Sequence, residues 1–98
     1  MPDRYSLRLS TVAEADLEAI YEYGFRQWGE RQADRYFDAL LAHFELLCTN
    51  PFLFVAVDDI RPGYRRSICG SHAIYYRVGS GVVEVMAVIG RQDTSDRI

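Results

Sequence analysis

Gly63-Tyr64-Arg65-Arg66-Ser67-Ile68-Cys69-Gly70-Ser71-His72-Ala73-Ile74-Tyr75-Tyr76-Arg77-Val78 is the stretch that decides the fold. It reads as two strands joined at Gly70-Ser71, because glycine takes the positive φ that a two-residue hairpin loop needs. Beyond the turn the side chains alternate. His72, Ile74, Tyr76 and Val78 point one way; Ala73, Tyr75 and Arg77 point the other. The β-branched and aromatic residues suit a pleated, half-buried surface. Three arginines, Arg65, Arg66 and Arg77, lie on the same ribbon. Arg65 and Arg66 are neighbours, so they face opposite sides.

Working outward, Gly79-Ser80-Gly81 makes a second turn, and Val82 to Ile89 is the most apolar strand, expected to lie centrally with cover on both faces. Upstream, Asp58 to Gly63 is polar turn chemistry. Phe52-Leu53-Phe54-Val55-Ala56-Val57 is almost wholly apolar where a surface connection is required. It reads either as a short strand or loop draped over the helix–sheet edge or as an exposed patch awaiting a partner.

The first half of the chain is helical. Tyr5 to Ser10 alternates as a first strand, and Thr11 to Glu14 matches a capping box. The first helix then runs to about Trp28, with Ala13, Leu17, Ile20, Tyr21, Gly24 and Trp28 as its buried stripe. Glu14, Glu18, Glu22 and Arg26 form its solvated row. Gly29 stops it. Glu30 to about Thr49 is a second helix, with Ala33, Phe37, Leu40, Leu41, Phe44, Leu47 and Cys48 inward and His43 on the outer face. So short a link forces an antiparallel helical hairpin. Asn50-Pro51 ends it, because the residue before proline avoids the α region. The expected fold class is α+β in the order β-α-α-β-β-β, an antiparallel-meander sheet with a helical hairpin packed on one face. The first strand can join at an edge of the meander or beside the last strand.

Length and composition narrow the function. Residues 1–98 are one small domain, with 49% hydrophobic and 26% charged residues. No apolar run approaches the roughly 20 residues that span a bilayer, and the N-terminus lacks a secretory core. Cys48 and Cys69 are not at metal-ligand spacing and make no disulfide framework, so a reduced, cytoplasmic protein with two small core thiols is expected. All 11 basic residues are arginine, against 14 acids. From Ser10 to Asp59 ten acids face three arginines, a net of −7; from Ile60 onward six arginines face three acids, a net of +3. An acidic helical half and a mildly basic sheet half argue against affinity built on phosphate contacts. There is no nucleophile motif, no phosphate loop and no metal cluster, so no cofactor is expected. General acid–base cleavage of RNA is harder to dismiss. Arg65, Arg66, Arg77 and Arg91 supply cations; His72, Tyr64 or Tyr75 supply a proton-transfer group. The plainer roles are His72 bonding backbone at the turn and tyrosines packed with hydroxyls at the rim.

Taken in order, Leu9-Ser10, Ala15-Asp16-Leu17, Ile20, Trp28-Gly29, Asn50-Pro51, Arg61-Pro62-Gly63-Tyr64-Arg65-Arg66, Gly70-Ser71-His72, Ile74-Tyr75-Tyr76-Arg77-Val78 and Val83-Glu84-Val85 resemble the ParE toxins of the RelE/ParE superfamily. The resemblance spans about Tyr5 to Asp93. It implies the toxin of a type II toxin–antitoxin module, in a hetero-oligomer with a ParD-type antitoxin encoded beside it. In this superfamily the RelE branch cleaves mRNA on the ribosome, whereas the ParE branch poisons DNA gyrase. The missing lysines, the acidic total, and Gly90 where many relatives carry a histidine favour the second branch. The expectation is therefore a gyrase inhibitor acting by binding, with a RelE-like endoribonuclease as the alternative. A disordered antitoxin segment would fold onto the helix–sheet groove. Trp28, Tyr36, Phe37, Phe52 and Phe54 are the expected apolar contacts and Arg65 and Arg77 the polar anchors. Arg91, Gln92 and Asp93 are the expected target contacts. Neither direct nucleic-acid binding nor a membrane partner is expected.

Overall fold

The structure is a computed structural model that describes residues 4–90. Its order is β1 (Ser6–Leu9), α1 (Thr11–Trp28), α2 (Glu30–Thr49), β2 (Val55–Ala56), β3 (Tyr64–Cys69), β4 (His72–Gly79) and β5 (Val82–Gly90). The strands form one sheet in the order β1-β5-β4-β3-β2. Strands β2 to β5 are an antiparallel meander, whereas β1 runs parallel to β5, Ser6 opposite Val82 and Leu9 opposite Val85. The sheet is thus mixed rather than wholly antiparallel. The helical hairpin returns the chain to the end of the sheet where β1 left it, so β2 runs opposite to β1, and three further reversals bring β5 parallel to β1. β5 is an interior strand as expected, though the middle place falls to β4.

Both hairpin turns follow the glycines. Gly70 takes φ 60°. Ser80 and Gly81 take φ 50° and 76°, positive at both central positions as in a type I′ turn. Between the strands, Tyr76 faces Val85 but Tyr75 faces Ala87, so Met86 is an extra residue, a β-bulge. The bulge flips the side-chain register of β5. Val83, Val85 and Val88 join the core under the helices, while Ala87 and Ile89 turn to the opposite face.

The main core lies between hairpin and sheet. Leu17, Leu40, Phe44 and Leu47 meet Ile74, Tyr76, Val83 and Val85, all buried. Burying each large side chain contributes roughly 1.5–3 kcal/mol. A smaller cluster, Val57, Ala73, Tyr75, Ala87 and Ile89, occupies the other face. Tyr75 and Tyr76 are buried completely, contrary to the expectation of hydroxyls at the rim. The Tyr76 hydroxyl donates to the Pro51 carbonyl at 2.7 Å, tying the end of α2 to the sheet; the Tyr75 hydroxyl has no partner among the described residues.

Several sequence expectations need correction. The cap of α1 is Ser10, not Thr11: its Oγ accepts from the Ala13 N–H at 3.0 Å and donates to the Met86 carbonyl at 2.9 Å. Trp28, the last residue of α1, is not in the buried stripe but 64% exposed. Leu41 is also exposed. His43 does not face outward; its Nε2 is 2.6 Å from the Oγ of buried Ser67 on β3, and its ring lies beside Phe54. Cys48 is buried as expected, while Cys69 is only partly so. No helix among the described residues is long and apolar enough to cross a membrane.

Candidate functional site

Three separate surfaces hold the residues expected to bind partners. The first is an open groove of about 650 Å³ between the tip of the helical hairpin and the ends of β4 and β5. α1 supplies Tyr23 and Trp28, whose rings meet edge to face at 5.7 Å; α2 supplies Tyr36 and Phe37; the sheet supplies His72. Tyr36 ties the groove together. Its ring lies over the Gly70 turn, where an added Cβ would sit 2.8 Å from it. Gly70 is therefore required twice, for its positive φ and for that approach. The Tyr36 hydroxyl accepts from the Ser71 N–H at 3.2 Å and lies 2.6 Å from His72 Nδ1 and 3.2 Å from the Cys69 carbonyl. Its one proton goes to Nδ1 when that nitrogen is bare, and to Cys69 when it is not. Burial pushes the His72 pKa down, and the Asp16 charge opposes this only in part. His72 thus bonds a side chain across the sheet–helix interface rather than the turn's own backbone.

The second surface is the sheet edge at β2. The Phe52–Val57 segment contains a short strand at the sheet edge and also exposes several of its apolar side chains. Val55 and Ala56 form a short edge strand on β3, and Val57 is buried, while Phe52, Leu53 and Val55 are exposed, Leu53 at 70%. Arg65 holds this segment in place. Its guanidinium donates to the Phe54 carbonyl at 2.7 Å and stacks over the Phe52 ring at 5.1 Å. Phe52 also meets Tyr5 edge to face at 6.2 Å.

The third surface is the sheet face opposite the helices. Here Arg77 pairs with Glu84 across β4 and β5 at 2.9 Å. Neither Arg65 nor Arg77 pairs with the acidic helices. Arg91, Gln92 and Asp93 lie outside the described residues.

The separation bears on chemistry. An RNA-cleaving centre would gather cations around a proton-transfer group. Among the described residues no arginine lines the groove that holds His72, and Arg65 and Arg77 lie on the two other surfaces. Nor do the described residues include a group of three His, Cys, Asp or Glu that could hold a metal ion. The groove instead offers aromatic surface with a polar floor, which suits burial of another polypeptide's side chains. Tyr23 was missed from sequence: it falls on the polar side of the helical pattern, and only its contact with Trp28 reveals it. The Tyr36–His72 bond joins residues too far apart for any local spacing to signal.

A helical hairpin on one face of a five-stranded mixed sheet is a fold shared with solved toxin–antitoxin proteins. Superposition on a chain from the chromosomal ParDE toxin–antitoxin system of P. aeruginosa gives a TM-score of 0.77 at 19% identity, covering 91% of this chain and 98% of the other. A chain from the RelBE2 toxin–antitoxin complex of Mycobacterium tuberculosis gives 0.67 at 19% identity, covering 90% and 99%. The sequence goes further than the fold. Residues 7–94 match the family described as ParE toxin of type II toxin-antitoxin system, and the chain belongs to that family. It is 39% identical over 98 residues to toxin ParE1 of Mycobacterium tuberculosis, covering 99% of this chain and 98% of the relative. It is 40% identical over 82 residues to toxin ParE1 of Caulobacter vibrioides, covering 84% of each.

Proposed function

We propose that this ParE-type toxin acts in the cytoplasm by binding and inhibiting DNA gyrase, and that a ParD-like antitoxin neutralises it in a hetero-oligomer. The observation that carries a binding mode is the aromatic groove: Trp28, Tyr36 and Phe37 converge on it, and no arginine lines it among the described residues. In this reading an amphipathic antitoxin segment seats apolar side chains against Trp28, Tyr36 and Phe37. A further stretch covers Phe52 and Phe54 at the sheet edge, beside Arg65. Arg77, exposed on one side of its ion pair, remains able to accept a carboxylate from the antitoxin. Arg91, Gln92 and Asp93 are the proposed gyrase contacts.

The direct test is supercoiling by purified gyrase with and without the toxin. Loss of supercoiled product, restored by stoichiometric antitoxin, is expected. Undiminished supercoiling at excess toxin would remove gyrase as the target; transcript cuts at codon positions after brief expression would replace the binding mode with ribosome-dependent cleavage.

A further inference from the structure

One group in the groove between the hairpin tip and the ends of β4 and β5 changes its charge near neutral pH, and that group is His72. The rest of the lining among the described residues is aromatic, aliphatic or glycine apart from Gln32 and Ser71, with no carboxylate and no arginine. We propose that His72 links antitoxin docking to a proton: the groove holds an apolar antitoxin side chain while the imidazole is neutral and releases it when the imidazole is charged. This rests on the antitoxin reading of the groove and adds its regulation.

The hydrogen bonds around the ring accommodate either state. With Nδ1 bare, the Tyr36 hydroxyl donates to it at 2.6 Å and accepts from the Ser71 N–H at 3.2 Å. With Nδ1 protonated, the imidazole becomes the donor over the same 2.6 Å, and the phenolic proton turns to the Cys69 carbonyl at 3.2 Å. Both arrangements satisfy the hydroxyl and Nδ1 without moving a heavy atom. What protonation changes is charge: a cation appears at the wall of an aromatic groove, where an apolar occupant strips it of water. Few other ionisable groups face the ring. From α1, Asp16 favours the charged imidazole while accepting the Val88 N–H at 3.0 Å. α2 brings Tyr36. β3 brings Cys69, opposite His72, whose thiol pKa burial raises, so it stays neutral here. Gly90 faces His72 from β5. Burial outweighs Asp16 and holds the ring's pKa below 6.5 in the free protein. Covering the groove deepens that burial and lowers the value further. Affinity is then full above the free protein's value and falls as the pH drops through it, by at most about tenfold per pH unit.

The test is calorimetry of the full-length toxin with purified ParD-like antitoxin at about pH 7.5 and about pH 5.5, with circular dichroism showing the toxin folded at both. Affinity is expected to fall about three- to tenfold at the lower pH. His72→Gln is expected to remove most of that fall, since the antitoxin's own titrating groups act equally on both toxins. Near about pH 6, titrations in buffers of different ionisation enthalpy are expected to show proton release on binding. In the unaltered toxin, proton NMR of the His72 ring is expected to give a lower pKa in the complex than in the free protein. An equal or higher value in the complex would overturn the proposal, whether or not His72→Gln folds. So would the same pH dependence in a folded His72→Gln variant, or tighter binding at the lower pH that disappears with His72. Failure of the antitoxin reading shows separately, as an affinity at about pH 7.5 that Trp28→Ala leaves unchanged, and it removes both. A Trp28-dependent affinity with no pH dependence owed to His72 removes this inference alone.

Discussion

Ser10 does two things with one hydroxyl. It caps α1 through Ala13 and satisfies the Met86 carbonyl at the β5 bulge. Asp16, six residues further on, accepts the Val88 N–H at 3.0 Å on the other side of the same bulge. Beyond Val85, β5 has no further pairing with β1, so the first turns of α1 take over its backbone groups. Ser10→Ala is expected to cost about 1–2 kcal/mol in urea unfolding, at the upper end for a cap because a second bond goes with it. Asp16→Ala, which leaves the Val88 N–H buried without that acceptor, is expected to cost about 1–3 kcal/mol. The two histidines make a pH prediction at the same scale. Burial lowers the pKa of both His43 and His72 below 6.5 in the folded protein. A lowered folded pKa means that the unfolded chain binds more protons as the pH falls. Their contribution is therefore fully present above the unfolded value and is lost as the pH drops below it. Urea midpoints should fall between about pH 7.5 and about pH 5.5, and His43→Gln with His72→Gln should flatten that slope. An unchanged slope in the double variant would assign it to other groups.

At the scale of elements, the β3–β4 turn and the β2 edge are each held by one long side chain from elsewhere. Gly70→Ala has nowhere to put its methyl, which would sit 2.8 Å from Tyr36 at a φ of 60°. It should destabilise by more than the roughly 1 kcal/mol of the backbone effect alone, and proton NMR should show the Tyr36 and His72 rings displaced. Arg65→Ala removes the guanidinium that holds the Phe54 carbonyl and the Phe52 ring. The two-residue strand β2 has little else to keep it paired. Hydrogen exchange at the Val57 amide, which bonds the Tyr64 carbonyl at 2.8 Å, should quicken while β4 and β5 stay protected.

Across the whole molecule, the expected partner contacts divide between surfaces rather than forming one site. Trp28, Tyr36 and Phe37 share the hairpin-tip groove; Phe52, Phe54 and Arg65 share the sheet edge; Arg77 stands on the far face. A single antitoxin that touches all of them must wrap the toxin, as a segment folding on binding can. Trp28 gives the sharpest test, since it is mostly solvent-exposed in the free protein. Trp28→Ala should leave the urea midpoint nearly unchanged but weaken antitoxin binding by about 2 kcal/mol or more, roughly thirtyfold. Unchanged affinity in calorimetry would take the groove out of the antitoxin interface.

Periodicity and turn chemistry reached far into this protein. The hairpin around Gly70-Ser71, the second turn, both helices, their ends at Gly29 and Asn50, and the separation of Arg65 from Arg66 all follow from local rules that act within a few residues. What those rules left open depended on residues distant in the chain. The parallel pairing of β1, the bulge at Met86, the inward turn of His43 and the outward turn of Trp28 were decided only when helices met sheet. The physical reason is that a backbone carries its propensities along its own length, whereas a strand's partner, a bulge's hydrogen bonds and a ring's burial are supplied across space, by whatever the remainder of the chain places alongside.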